Sequence, residues 1–280
     1  MFIVLIGIFM AIGWLVGAYI GNWLLGTLMF ALLAGAINFI SYFYSAKIVL
    51  WSYKARIVNE AEAPRLHRIV RGIAQRSGLP MPQIAILPTQ NPNAFATGRN
   101  PKNAVVAATE GIMRLLDDNE LEGVLAHEMA HVKNRDILVM SVAATVAGAI
   151  SFAARMFMWG TFFGGGRNDN GNFLIILLVA ITAPIAALLL QLAISRSREY
   201  KADAEGARLI GKPLYLAKAL EKLEEGSRRN PMNMGSPTSS SLFIVNPFKG
   251  GAIVSIFSTH PPMEERIRRL KEIAREMGQY

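Results

Sequence analysis

Two histidines and a glutamate stand close together in the segment His127-Glu128-Met129-Ala130-His131. On a helix the two imidazoles lie one turn apart on the same face, so both can bind one metal ion. Catalytic zinc sites use three protein ligands and a water, and Glu128 is placed to take the proton of that water. The pattern predicts one zinc ion per chain and hydrolytic chemistry, although cobalt or manganese would accept the same ligands.

A third protein ligand is required, and the segment 198–203 offers two carboxylates. Glu199 and Asp203 are four residues apart, so they share one face of a helix. Glu199 could bind the zinc ion, and Asp203 could hold a histidine N–H, which fixes the tautomer and the ring orientation. An ordinary solvated face has the same spacing, so this interpretation depends on the histidine pair.

His67 and His260 are the other two histidines of the chain. Two prolines follow His260 and fix the local backbone, and a histidine held near the metal could donate to the oxyanion of peptide hydrolysis. A capping or packing role for His260 stays open as the alternative. His67 falls in an amphipathic surface helix, where a solvated side chain is expected.

Four long apolar stretches predict a membrane protein. They cover roughly residues 2–20, 23–44, 138–160 and 173–195, and each is long enough to cross a hydrocarbon core of ~30 Å. The composition agrees, because 52% of the residues are hydrophobic and 18% are charged. A cleaved signal peptide is the alternative for the first stretch, and a buried core helix is the alternative for the third, which contains Arg155.

The basic residues predict the orientation in the membrane. Twelve Lys and Arg lie between Ala46 and Asp136, 15 follow Ser195, and Arg155 and Arg167 are the remaining two. By the positive-inside rule, both basic segments face the cytoplasm. The basic residues are scattered among Glu and Asp and carry no nucleic-acid motif, so no nucleic-acid partner is expected. The absence of cysteine excludes disulfides and thiolate ligands.

Periodicity and turn signals predict the elements that position these side chains. Asp117 or Asp118 can cap the helix of the histidine pair, Glu120 can complete a capping box, and the helix continues to about Arg135. The other predicted elements are a helix over 60–76, strands at 83–87 and 104–109, a helix over 198–225, a loop over 230–251 and a final helix over 263–277.

The strand at 104–109 could present an edge to an extended peptide. We expect Asn93, Ala94, Val105 and Val106 to form this substrate edge. Recognition through main-chain hydrogen bonds would tolerate many substrate sequences.

These residues resemble the HtpX-type membrane zinc metallopeptidases, which are related to the CAAX prenyl proteases. The resemblance covers nearly the whole chain and includes both motif helices, Asn134-Arg135-Asp136 and the segment 257–262. It implies the following roles: zinc ligands His127, His131 and Glu199, general base Glu128, oxyanion donor His260, and supporting carboxylates Asp136 and Asp203.

We therefore expect an α+β, mostly helical, polytopic membrane protein with about four transmembrane helices and a cytoplasmic, gluzincin-like metalloprotease domain with a small sheet. The expected segments are a two-span hairpin (1–45), the first protease part with the H-E-x-x-H helix (46–137), a second two-span hairpin (138–195) and the second protease part with the E-x-x-x-D helix (196–280).

The resemblance also implies a function and a place. It implies a zinc-dependent endopeptidase of the bacterial inner membrane, with its active site on the cytoplasmic side, that degrades damaged or misfolded membrane proteins during stress. The expected partners are membrane protein or peptide substrates, the lipid bilayer and other quality-control proteases. A CAAX-type prenyl-protein protease and a non-catalytic zinc-binding scaffold are the alternatives, and the intact Glu128 favours an enzyme.

Overall fold

The computed structural model describes residues 2–163, 170–234, 242–247 and 261–279. His260 and much of the predicted loop over 230–251 lie outside the described residues. The helices are α1 (Phe2–Tyr19), α2 (Trp23–Ser52), α3 (Pro64–Ser77), α4 (Glu110–Leu115), α5 (Asp118–Asn134), α6 (Asp136–Phe163), α7 (Asn170–Ile210), α8 (Pro213–Arg229) and α9 (Met263–Glu276). The strands are β1 (Arg56–Ile57), β2 (Gln83–Leu87), β3 (Ala94–Thr97) and β4 (Val105–Thr109). The prediction of a mostly helical protein with a small sheet is confirmed.

The chain divides into two compact units. The first contains Met1–Tyr44 and Val139–Ile194, and the second contains Ser45–Leu138 and Ser195–Tyr280. Every residue of the predicted chemistry that the structure describes belongs to the second unit.

Glycines bring α1 and α2 of the first unit into backbone contact. A Cβ atom at Gly13 would lie 2.4 Å from the carbonyl oxygen of Gly26, and one at Gly26 would lie 2.3 Å from that of Gly13. Small residues allow this close approach where lipid gives helices no hydrophobic reason to associate. Large apolar side chains such as Leu28 and Leu32 are exposed, as expected for a surface that faces lipid.

One helical window of the described residues, Trp23–Ile40, is long and apolar enough to cross a bilayer. Shorter apolar windows lie at Leu5–Tyr19 and Asp136–Gly148. The count of four spans therefore stays a prediction.

The sheet of the second unit has the strand order β1-β2-β4-β3. Strand β4 pairs with β2 in parallel and with β3 antiparallel, so Val106 lies between Ile84 and Ala96. The prediction that Val105 and Val106 form an edge is wrong, because β4 is paired with a strand on each side, β2 and β3. The outer strand on this side is β3.

The sheet is covered on both faces. Alternate side chains such as Ile84 and Val106 pack into a large core with helices α3, α5, α8 and α9. The opposite face carries Leu87 and Phe95, which pack with Tyr53, Met232 and Phe243 in a smaller cluster. Burial on both faces fixes the register of β3.

The helix of the histidine pair, α5, has well-defined ends. The Asp117 side chain accepts the N–H of Glu120 at 2.9 Å, and Glu120 accepts the N–H of Asp117 at 3.0 Å, which confirms the predicted capping box. Lys222 donates to the same Glu120 carboxylate at 2.7 Å and so joins α8 to α5. The helix ends where Arg135 adopts a left-handed conformation with φ 53°.

The predicted helix over 198–225 is two helices in the structure. Helix α7 ends at Ile210 because Gly211 has φ 67°, and α8 begins at Pro213. Proline at the start of α8 cannot donate a backbone hydrogen bond to a continuing helix, which explains the break.

Helix α7 touches the backbone of α5 at the first histidine. A Cβ atom at Gly206 would lie 2.8 Å from the backbone nitrogen of His127 and 3.0 Å from its Cα atom. A side chain there would have to push the two helices apart.

We expect Gly206→Ala to lower the free energy of unfolding by about 1–3 kcal/mol, the usual cost of overpacking. The measurement is thermal unfolding in detergent, together with the metal content of the purified protein. Gly72→Ala is the matched control, because a Cβ atom at this helical glycine meets nothing within 4 Å. Equal melting temperatures for the two variants would contradict the close contact.

Candidate metal centre

Three side chains converge on one point between α5 and α7. The Nε2 atoms of His127 and His131 are 3.1 Å apart. The carboxylate of Glu199 lies 3.3 Å from Nε2 of His131 and 3.7 Å from Nε2 of His127. Tetrahedral zinc with bonds of about 2.0–2.1 Å places its ligand atoms roughly 3.3 Å apart. The spacing of these three donors therefore fits a zinc ion.

The imidazoles are oriented by carboxylates on their far side. Nδ1 of His127 lies 2.9 Å from Oδ1 of Asp203, and Nδ1 of His131 lies 2.7 Å from Oδ2 of Asp136. A carboxylate at Nδ1 favours a proton on that nitrogen, which leaves the Nε2 lone pair for a metal. The structure thus brings Asp136 and Asp203 to the positions expected for supporting carboxylates.

Each of these carboxylates forms an ion pair with an arginine. Arg266 is fully buried and donates to Asp203 through two nitrogens, at 2.7 and 2.8 Å. The guanidinium of Arg266 also lies 3.4 Å from the carboxylate of Glu199. Asp136 accepts a hydrogen bond from Arg198, which also donates to a backbone carbonyl of α5 at 3.3 Å.

The sequence interpretation did not include Arg198 or Arg266. A signal for Arg266 was present, because it is spaced with Leu270 and Ile273 on the apolar face of α9. A charged residue at such a position requires a buried partner.

The charged groups of the centre favour a bound cation. Among the described residues, four carboxylates (Glu128, Glu199, Asp136 and Asp203) and two guanidiniums (Arg198 and Arg266) surround the imidazole pair. Because the carboxylates outnumber the guanidiniums, a cation at the three donors would be stabilised by its surroundings.

Glu128 lies beside the donors in a nearly dry environment. Burial raises the pKa of Glu128, while the neighbouring imidazoles of His127 and His131 and the backbone N–H of Ala96 oppose the rise. A carboxylate whose pKa is raised holds a proton more readily, which suits a group that must accept a proton and then pass it on.

The electrostatics of the other groups follow from their partners. Burial alone would lower the pKa of His131, but the hydrogen bond and the charge of Glu199 outweigh burial and raise this pKa. Burial alone would raise the pKa of Asp203, but the charge of Arg266 outweighs burial and lowers this pKa. Asp203 is therefore ionised at neutral pH and attracts the Nδ1 proton of His127.

Solvent reaches the centre at His131. Its side chain is 17% exposed, compared with 1% for His127 and 10% for Glu199. A cavity of about 20 Å³ adjoins His131 and is lined by Thr97, Asn100 and Arg135 among others. This volume holds roughly one water molecule.

The other predicted site residues lie in different places. Ala94 is the first residue of β3 and Asn93 is the residue before it, so both lie on the outer side of the sheet. Val106 lies inside the sheet. Nδ1 of His67 lies 3.0 Å from the carbonyl oxygen of Ala63, the residue just before its own helix α3, away from the metal centre. His260 lies outside the described residues.

A buried His-His-Glu centre with an adjacent glutamate defines a metallopeptidase of the H-E-x-x-H class. Residues 60–274 match the model of peptidase family M48, and the chain belongs to this family. It is 52% identical over 280 residues to a protease HtpX homolog of Persephonella marina, covering 98% of this chain and 96% of the relative. It is also 52% identical over 279 residues to a protease HtpX homolog of Thermococcus sibiricus, covering 98% of this chain and 94% of the relative.

The fold resembles that of a protein whose structure has been solved. The crystal structure of S. mikatae Ste24p matches 94% of this chain with a TM-score of 0.59 and 20% sequence identity. This chain spans 62% of the length of that structure. The family and the candidate span together identify the chain as a membrane metalloprotease.

Removing Arg266 should damage the centre even though Arg266 is not a metal ligand. In Arg266→Gln, the buried Asp203 loses its counter-charge, which costs about 3–5 kcal/mol. We expect a lower melting temperature and weaker zinc binding in a competition with a chelator. Arg268→Gln on the same helix is the control, because its side chain is 57% exposed and exposed ion pairs contribute little to stability. Unchanged zinc affinity in Arg266→Gln would show that the arginine does not support the centre.

Proposed function

We propose that this membrane metalloprotease is a zinc-dependent endopeptidase that hydrolyses peptide bonds of damaged or misfolded membrane proteins. The observation that carries the proposal is the convergence of His127, His131 and Glu199 on one point, with Glu128 beside it. The donor set of two imidazoles and one carboxylate is typical of catalytic zinc.

The side chains around the centre have separate proposed roles in hydrolysis. His127, His131 and Glu199 would hold one zinc ion, which would polarise the scissile carbonyl and lower the pKa of the attacking water. Glu128 accepts the proton of the water and then donates it to the leaving amine. His260 is proposed as the donor to the oxyanion.

The substrate main chain is proposed to bind along β3. This strand forms the outer side of the sheet, and the N–H of Ala96 is directed at Glu128. Main-chain pairing with a strand edge depends little on the substrate side chains. Such tolerance suits a protease that degrades many different damaged proteins.

The location is proposed to be the cytoplasmic membrane, with several spans and the metal centre on the cytoplasmic side. The support is the distribution of charge: all but two of the 29 Lys and Arg lie in the segments 46–136 and 196–280. Other quality-control proteases remain proposed partners.

Glu128→Gln tests the chemistry, because it keeps the metal ligands and removes the base. We expect wild-type metal content and a loss of casein cleavage by at least about 100-fold, the usual contribution of a general base. Metal content and cleavage are measured in detergent. Glu225→Gln, whose side chain is 65% exposed on α8, is the control and should cleave normally.

Three other outcomes would each change the conclusion. Equal cleavage by wild type and Glu128→Gln would contradict the mechanism. Metal without cleavage in either protein would favour the zinc-binding scaffold. A strong preference for lipidated over unmodified peptides would favour the prenyl-protein protease instead.

The topology is tested with reporter fusions. Alkaline phosphatase is active outside the cytoplasm and green fluorescent protein is fluorescent inside it. With four spans, fusions after Asn22 should give phosphatase activity, and fusions after Tyr280 should give fluorescence. Phosphatase activity after Tyr280 would contradict the proposed cytoplasmic centre.

A further inference from the structure

The outer edge of β3 presents the backbone groups of two residues. Asn93 accepts a hydrogen bond from Thr109 of the neighbouring strand at 3.0 Å. Because pairing alternates along an antiparallel strand, Phe95 and Thr97 also face β4. Ala94 and Ala96 therefore direct their N–H and C=O groups away from the sheet.

Three of these four outward groups are already engaged within the chain. The N–H of Ala94 donates to the Asn93 side chain at 3.2 Å, and the C=O of Ala94 accepts the N–H of Ile244 at 3.3 Å. The N–H of Ala96 interacts with Glu128. Among the described residues, the C=O of Ala96 has no such partner, and Ala96 is 7% exposed, so this carbonyl is the outward group of β3 with which a peptide could pair.

The segment that covers Ala94 comprises residues 242–247 and is called the strap here. The Asn93 side chain donates to the C=O of Val245 at 2.7 Å and accepts its N–H at 3.4 Å. Phe243 is 1% exposed, and its ring packs edge-on against Tyr53 and Phe95 with centroids 5.0 and 5.3 Å apart. The strap is therefore anchored in the core of the unit.

The strap is also joined to the metal centre. Arg266 donates to the C=O of Ile244 at 3.0 Å with the same guanidinium that binds Asp203. Ile244 is 1% exposed. Moving the strap away from β3 would break a hydrogen bond of a buried guanidinium, which makes displacement by a substrate costly.

We propose that the strap is a fixed end of the substrate cleft. An extended peptide can pair with β3 at Ala96, but its backbone cannot continue along the edge to Ala94, which lies two residues and about 7 Å further on. On the side of the scissile bond that lies towards Ala94, about two substrate residues contribute to binding through their backbone. On the other side, towards Gly98, the strap imposes no such limit. The inference rests on the proposed binding of peptides along β3.

A matched pair of variants at Ile244 tests the fixed end. Ile244→Ala and Ile244→Pro both lose the buried side chain, but only the proline also loses the N–H that binds Ala94. The assay uses a cleaved peptide and versions extended by one to four residues at either end, and kcat/KM is measured for each. Zinc content and thermal unfolding are measured for both variants.

With wild type and Ile244→Ala, extension of the peptide at the end that lies towards Ala94 should stop raising kcat/KM after about the second residue. With Ile244→Pro, extension past the second residue at that end should raise kcat/KM by roughly two- to tenfold in total, the effect of the one hydrogen bond that the freed C=O of Ala94 can accept. If Ile244→Pro does not fold, Phe243→Ala loosens the strap from its aromatic partners and should give the same gain.

Two results would overturn the proposal. The same plateau in wild type and in folded, zinc-loaded strap variants would show that the strap does not limit the cleft. A continued gain at both ends in wild type would show that no fixed end exists. Zinc-loaded wild type that cleaves no peptide contradicts the proposed function itself, which separates this failure from a failure of the fixed end.

Discussion

The burial of ionised groups around the imidazole pair is the constraint on which the second unit depends. Charges removed from water are tolerated only when each has a partner of opposite sign. Arg198 comes from α7 and Arg266 from α9, so two helices far apart in the sequence must meet at α5 to supply these partners. The absence of a side chain at Gly206 lets α7 approach the backbone of α5 closely enough for this arrangement.

Strand β3 connects this centre to the sheet. Its side chains alternate between two cores, with Ala94 and Ala96 in the larger one and Phe95 in the aromatic cluster. Its outward backbone groups meet Glu128 at one residue and the strap at another. Strand β3 is thus held by contacts with β4, with Glu128 and with the strap, and these contacts fix the distance between the proposed peptide-binding edge and Glu128, the proposed base.

Local signals predicted the parts of the structure that depend on neighbouring residues. The capping box of α5 and the histidine spacing are short-range patterns, and both are present in the structure. The order of the strands depends on pairing between distant segments, so the edge was assigned to β4 instead of β3. The four residues of β3 stand among Asn, Pro and Gly, which are turn signals and conceal a strand. The partners of Arg266 could not be inferred, because they lie on other helices.

The position of Arg266 in the sequence has a consequence for the synthesis of the protein. Helix α9 leaves the ribosome after all three donors, and Arg266 follows Glu199 by 67 residues. A nascent chain that ends before α9 carries the three donors, but Asp203 lacks its counter-charge and the strap lacks the hydrogen bond from Arg266. The buried charges of the centre are therefore balanced only after α9 has been synthesised.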